Sequence, residues 1–317
     1  MRILVTGGAG LIGSSLVEHA LAAKERVCVL DNLSTGRRDH LPQDGRLELV
    51  EGDVCDGGLV ASLMRRCDKV VHLAAGVGVR LILSRPTGSL RQSLLGTEIV
   101  LRHAASQRKP VFFASSSEVY GDAGKEPLSE EQNLGFGPPG ALRFSYAAGK
   151  AAGEALAFSY ASEYALPVVV ARFFNVVGPR QSESQGAVIP RLVGQALRGE
   201  ALGVHGDGLQ TRAFLDATDA AAYVRRLLDL AAPGGLLVNV GRNDPISILD
   251  LAGRIRRLVD PRLEIAHTAP DYGSGFSPIR YRRPDVRRLL RITRYTPRVD
   301  LDATLRSCLR ARSAVAR

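Results

Sequence analysis

Runs of unbroken apolar character restrict this chain more than any other feature. They are RILVT (2–6), RVCVL (26–30), LELVEG (47–52), KVVHLA (69–74), PVFFA (110–114) and PVVVARF (167–173). Amphipathic stretches near 11–23, 57–66, 88–107 and 145–164 lie between them. A strand apolar on both faces needs cover on both faces, and an intervening helix supplies it. The expected fold class is therefore α/β, a Rossmann-type doubly wound parallel sheet with right-handed crossovers over residues 1–175. After residue 175 the alternation loosens. GPRQSESQG (178–186) reads as a loop, and helices are expected at 187–198, 216–231 and 247–259, with a strand at LLVNVG (236–241). APDYGSGFSPIRYRRPD (269–285) is rich in Gly, Pro and Arg, a last helix falls near 300–311, and the tail ARSAVAR reads as frayed. Residues 176–317 read mainly as a smaller C-terminal substrate-binding cap, some segments of which return to the sheet.

Bulk properties narrow the class further. The chain has 317 residues, 45% of them hydrophobic and 23% charged, which suits a globular core rather than disorder. Cys28, Cys55, Cys67 and Cys308 are isolated, with no C-x-x-C pair, so four free thiols in a reducing compartment are expected. The six histidines show no ligand spacing, and no metal is expected. There is no apolar run long enough for a membrane helix and no leader ahead of MRILVTGG, so a cytoplasmic protein without membrane contact is expected. The net charge of +10 comes from 37 arginines and only 5 lysines, scattered along the chain with no nucleic-acid motif. A nucleic-acid partner is not expected. Arginine instead suits phosphates and carboxylates, which it binds with a planar fork.

TGGAGLIG (6–13) follows the first strand and opens the first helix. Gly7 and Gly10 let the backbone approach a pyrophosphate, and Gly13 lets the helix pack closely, with Leu11 and Ile12 between them. Asp31 ends the second strand, 18 residues beyond Gly13. A carboxylate there can accept from the ribose hydroxyls of NAD and repels a 2′-phosphate. Asp53, beside Val54 in EGDVCD (51–56), either meets the adenine or caps the next helix. HLAAG (72–76) supplies Leu73, Ala74 and Ala75, small enough at the strand end to let a dinucleotide pass. The fifth strand ends in ASSSEVYG (114–121), which aims Ser116, Ser117 and Glu118 at the crevice where ligands of such sheets bind. Tyr146 and Lys150, i and i+4 in RFSYAAGKAAGE (143–154), share a helix face. A phenol titrates near 10, so a neighbouring ammonium and a nicotinamide cation are needed to make Tyr146 a base; a serine can relay the proton.

The combination TGGAGLIG, HLAA, SSSEVYGD, YAAGK, RFFNVVGPR, GDGLQTRAF and RRPD resembles the extended short-chain dehydrogenase/reductases that modify nucleotide sugars, along nearly the whole length. The resemblance implies transient oxidation at C4 of a UDP- or dTDP-sugar by bound NAD, in a homodimer joined through the helices near 88–107 and 145–164. It implies catalytic roles for Ser116, Tyr146 and Lys150. It places Asn175, Arg212 and Arg282 near the diphosphate or the sugar, and Arg191 with Val188 near the uridine. SSSEVYGD and RYRRPD are most similar to UDP-glucuronate decarboxylases, in which Ser117, Glu118 and Arg282 would handle the C6 carboxylate and reprotonate C5.

Three other outcomes stay open on the same residues. A 4-epimerase performs the same oxidation and then turns the sugar; epimerases usually carry Ala, Ser or Thr where Glu118 stands. A 4,6-dehydratase needs an Asp-Glu pair, and Ser117 replaces the aspartate. An NAD-binding regulator would lack the Tyr or the Lys. Two departures from the family pattern stand out: Ser93 replaces the usual Asn of N-x-x-G-T, and Gly149 interrupts the YAAGK helix.

Overall fold

A computed structural model describes residues 1–76, 84, 86–125, 127–135, 137, 144–183, 186–269 and 279–315. The first six apolar runs form strands β1 (Arg2–Thr6), β2 (Arg26–Asp31), β3 (Leu47–Glu51), β4 (Lys69–His72), β5 (Val111–Ser116) and β6 (Val168–Phe173). They alternate with helices α1 (Leu11–Ala22), α2 (Gly57–Arg65), α3 (Pro86–Ser106) and α4 (Ser145–Glu163). Then come β7 (Val176–Val177), α5 (Val188–Leu197), β8 (Leu202–His205), β9 (Thr211–Arg212), β10 (Leu215–Asp216), α6 (Ala217–Leu228) and β11 (Leu236–Val240). The chain ends with β12 (Ile246–Ser247), α7 (Ile248–Val259), β13 (Ile265–Thr268), β14 (Tyr281–Arg282), α8 (Arg287–Thr293) and α9 (Leu301–Val315).

Seven strands make one parallel sheet in the order β11-β6-β5-β4-β1-β2-β3. Successive residues of each strand serve opposite faces. Ile3, Val5, Val27, Val29, Phe112 and Val169 join Leu16, Val17 and Ala220 of α1 and α6. Leu4, Cys28, Val70, Phe113 and Val170 join Met64, Val100 and Ala157 of α2, α3 and α4. Both faces are therefore buried, which is why the strands read as continuous apolar runs. A further core, built by Leu192 and Val193 of α5, Val204 of β8, Leu251 and Ile255 of α7 and Leu305 of α9, lies in the second half. β11, from that half, returns to the sheet beside β6. Among the described residues no helix is long and apolar enough to cross a membrane.

Three expectations change. α8 was not anticipated: its arginines hide an apolar side, but Leu289 is fully buried and Ile292 packs against the same core. The last helix continues through Val315, past the start of the tail expected to fray. Asp53 does not cap α2; that role falls to Asp56, whose carboxylate accepts from Leu59 N–H at 3.0 Å. Most of APDYGSGFSPIRYRRPD lies outside the described residues.

The helix α4 is fixed to the sheet by charge. Glu154 accepts from Arg172 of β6 through Nε at 2.9 Å and Nη2 at 2.7 Å, and from Ser115 Oγ of β5 at 2.5 Å. Arg172 also lies over the Tyr120 ring, 4.7 Å from its centroid. Removing one partner strands the other charge in the interior. Glu154→Ala is expected to lower the unfolding free energy by about 3–5 kcal/mol in urea titrations; a loss below about 1 kcal/mol would show that the pair holds nothing.

Candidate active site

The strand order reverses between β1 and β4, and ligand crevices form at the carboxyl ends of strands at such a point. A cavity of about 550 Å³ opens there. Its first wall is the glycine turn. Gly7 has φ of +72°, and a Cβ there would lie 2.7 Å from the backbone N of Ala74. At Gly13 a Cβ would lie 2.4 Å from the carbonyl O of Gly7. No side chain caps the start of α1 at Gly10, so first-turn amides are left for an anion. Gly7, Gly10, Leu11, Ile12, Gly13, Asp31, Val54, Leu73, Ala74 and Ala75 all line the cavity. Asp31 accepts from Ala9 N–H and Leu33 N–H, each at 2.9 Å, so it also shapes the glycine turn. Asp53 is the exception. It is exposed and absent from the lining; its carboxylate accepts from Cys55 N–H at 2.8 Å and Asn32 Nδ2 at 3.1 Å.

Ser116, Ser117, Glu118, Tyr146 and Lys150 form the middle of the same cavity. Ser116 ends β5 and starts a single 3-10 turn, its Oγ accepting from Glu118 N–H at 3.2 Å. Its hydroxyl pulls the pKa of the Tyr146 phenol in the same cavity down. Lys150 is 3% exposed and donates to the Ala114 carbonyl at 2.6 Å; its Nζ sits 5.9 Å from the Tyr146 ring centroid. Among the protein's own groups, burial pushes the Tyr146 phenol up, Ser116 pulls it down and Glu118 pushes it up. Burial in turn pushes the Lys150 ammonium down to about 8, against the opposing pull of Glu154.

The third wall carries cations. β9 pairs with β12 and with β14, and the parallel register sets Arg212 beside Arg282. Arg212 donates to the carbonyls of Thr211 at 2.7 Å and Ile279 at 2.8 Å. Arg282 is 4% exposed and holds Glu118 with both terminal nitrogens, while its Nε is buried without a hydrogen-bond partner among the described residues. Arg191 donates to Gly203 O at 2.6 Å, and Asn175, at φ of +32°, donates to Ala213 O at 3.3 Å. Asn175, Val188, Arg191, Arg212 and Arg282 all line the cavity.

Other lining residues were not singled out from sequence: Gln92, Arg180, His205, Gln210 and Phe214. Arg180 and Gln210 sit inside the RFFNVVGPR and GDGLQTRAF motifs, which was the available signal. Behind the lining, Glu154 follows Lys150 by four residues and Tyr146 by eight, a spacing that marks one helix face. The two departures from the family pattern prove to be neighbours: a Cβ on Gly149 would lie 3.4 Å from Ser93 Oγ and 3.0 Å from Leu90 Cδ1. Ser93 Oγ is buried without a hydrogen-bond partner among the described residues. All four cysteines are free, and no group of His, Cys, Asp and Glu among the described residues could hold a metal.

The profile of the NAD dependent epimerase/dehydratase family matches residues 3–241. A UDP-N-acetyl-alpha-D-glucosaminuronate decarboxylase of Bacillus cytotoxicus is 35% identical over 312 residues, covering 97% of this chain and 96% of that protein. UDP-glucuronic acid decarboxylase 6 of Arabidopsis thaliana is 34% identical, covering 95% and 85%. Among solved structures, MoeE5 in complex with UDP-glucuronic acid and NAD superimposes with a TM-score of 0.86 at 28% identity, covering 99% of this chain and 100% of that one.

Two outcomes are expected from the site. Because Asp31 would face a 2′-phosphate, NAD should bind at least about tenfold more tightly than NADP; equal affinities in titrations would remove Asp31 from the ribose. Burial lowers the folded pKa of Lys150 to about 8, below its unfolded value, so the unfolded chain holds the extra proton between pH 8 and about 10.4. Folding becomes more favourable as pH rises through that window. Urea titrations should therefore show the wild type gaining on Lys150→Met by about 2 kcal/mol between pH 7 and pH 10; a pH-independent difference would contradict a buried ammonium. The chain is a member of the NAD dependent epimerase/dehydratase family.

Proposed function

We propose that this protein is an NAD-dependent nucleotide-sugar enzyme that oxidises C4 of a UDP-uronate and releases the C6 carboxylate as CO₂. The observation that carries this reading is the Glu118–Arg282 pair in the wall of the cavity that also holds Ser116 and Tyr146. The two decarboxylases of Bacillus cytotoxicus and Arabidopsis thaliana support it. A C4 alcohol needs a base, a hydride acceptor and a fixed position. Gly7, Gly10 and Gly13 fit the pyrophosphate of a dinucleotide, since a methyl group on Gly7 or Gly13 would collide with backbone. Asp31 fits its ribose. Bound there, NAD supplies the hydride acceptor and a positive ring charge.

Tyr146 takes the C4 hydroxyl proton, with Ser116 in the same cavity wall as relay. Since the protein's own groups push the phenol up, positive charge from Lys150 and from the bound ring must offset burial. Oxidation at C4 leaves a β-keto acid, whose C5–C6 bond breaks with its electron pair delocalised into the C4 carbonyl. Arg282 offers the unpartnered Nε to the substrate carboxylate, which can compete with Glu118 for the guanidinium. Ser117 and Glu118 lie beside it to position the carboxylate and to return a proton to C5; return of the hydride and a proton to C4 would then give the pentose nucleotide and leave the coenzyme oxidised. Arg212, Arg191, Asn175 and Val188 then serve the diphosphate and the uridine.

We read residues 1–175 as the coenzyme-binding domain and 176–317 mainly as the substrate-binding region. We also place the protein in the cytoplasm as a homodimer. Free thiols support the compartment. Family resemblance, with Leu95 of α3 and Tyr164 after α4 exposed, supports the dimer.

The test is incubation with UDP-glucuronate and NAD, with products read by mass spectrometry and evolved CO₂ measured. The expected result is a pentose nucleotide lighter by about 44 Da, the mass of CO₂. Glu118→Gln should cut CO₂ release at least about tenfold more than it cuts NADH formation. An unchanged mass with an inverted C4 by NMR would replace decarboxylation with epimerisation, and a loss of about 18 Da with dehydration.

A further inference from the structure

Arg180 lines the cavity, yet neither the chemistry nor the binding proposed for the site uses it. It belongs to a strap, residues 178–183, that leaves β7 and crosses the first turns of α1. The crossing is close: a Cβ on Gly178 would lie 3.2 Å from Leu11 Cδ1 and 3.1 Å from Ala217 Cβ. Arg180 Nη1 donates to Ser14 Oγ at 3.2 Å and to Glu18 Oε2 at 3.1 Å, and Nη2 donates to Glu18 Oε1. Ser14 and Glu18 stand one turn apart on α1, the helix whose start faces the expected pyrophosphate. The far end of the strap is held separately. Glu183 accepts from Arg312 Nη1 at 3.0 Å and Arg198 Nη2 at 3.3 Å, and Gln181 O accepts from Arg312 Nη2 at 3.2 Å. The strap is thus fastened at one end by Arg312 and Arg198 and at the other, through the Arg180 guanidinium, to the coenzyme-binding helix.

We infer that the Arg180–Glu18 pair is a latch that keeps the coenzyme in the cleft between turnovers, with both residues acting as positioning residues rather than contacting it. The inference rests on the proposed function. A reaction that removes a hydride and gives it back regenerates the coenzyme each cycle, so nothing requires exchange and slow release is useful. The pair is partly exposed, with side-chain accessibilities of 26% and 47%, so its effect should be modest and sensitive to salt.

The test loads the protein with NADH, mixes it with excess NAD and follows the fall in bound-NADH fluorescence. Arg180→Gln and Glu18→Gln should each quicken release about fivefold. The reversed pair, Glu18→Arg with Arg180→Glu, should restore the rate to within about twofold of wild type. Raising sodium chloride to about 0.5 M should quicken release from the wild type and not from the single variants, an arm that stands even if the reversed pair does not fold. Unchanged release in both single variants overturns the latch. So does a rise confined to Arg180→Gln, which would mean that Arg180 touches the coenzyme itself. The assay needs no turnover: a protein that releases no CO₂ can still pass it, and one that does can still fail it.

Discussion

The Glu154–Arg172 pair, sealed from water, decides where the reacting helix lies. α4 meets the sheet through small residues, Gly153, Ala157 and Ala161. The approach is close enough that a Cβ on Gly153 would lie 2.6 Å from Phe113 Cζ. A face so smooth gives packing without register, because sliding it one turn costs little in buried area. The charged groups remove that freedom. Glu154 reaches β6 through Arg172 and β5 through Ser115, and one turn earlier Lys150 reaches the Ala114 carbonyl of β5. Two successive turns are pinned to neighbouring strands, so the third position on that face, Tyr146, arrives beside Ser116. Buried ion pairs seldom add net stability over an apolar equivalent, but fixing a register is a use they serve well.

The cavity is electrostatically divided. At the coenzyme end, attraction for anions comes from backbone, the glycine turn and the uncapped start of α1, while Asp31 adds a negative charge suited to hydroxyls. At the substrate end it comes from side chains, with Arg212 and Arg282 adjacent in one register. Two like charges on neighbouring strands repel, and here carbonyl groups and Glu118 offset that repulsion. The surplus of arginine, which composition alone left without a location, has part of its meaning in this wall.

The parts of the fold visible in sequence were those governed by local rules. Strands buried on both faces announce themselves as apolar runs, and glycines forced by close backbone contact announce the turn at Gly7. The parts hidden were those set by tertiary contact. α8 is short and arginine-rich, and only its packing against the sheet's helical layer makes it a helix. Strands of two residues, such as β9 and β14, carry no periodicity, so the pairing of Arg212 with Arg282 could not be foreseen although each residue stood in a motif. Asp53 and Asp56 are equally good caps by residue type; hydrogen-bond geometry alone separates them. Ser93 and Gly149 looked like two independent oddities, yet they touch, and the side chain missing from Gly149 leaves the room that Ser93 and Leu90 border.

The same geometry bears on the fate of the oxidised sugar. Epimerisation requires the keto-sugar to turn over within the cavity, so the wall around C5 and C6 must release it. Decarboxylation requires the opposite: the C5–C6 bond must stay aligned with the neighbouring carbonyl while it breaks. A guanidinium buried on β14 and already braced by Glu118 is a poor partner for a ring that must rotate, because the interaction holds through its motion and is lost at its end. It is a good partner for a carboxylate that must leave, since the attraction ends when CO₂, which is neutral, forms. Glu118 can then reclaim Arg282. On the decarboxylase proposal, the ion pair at the end of β5 is the resting form of a substrate contact.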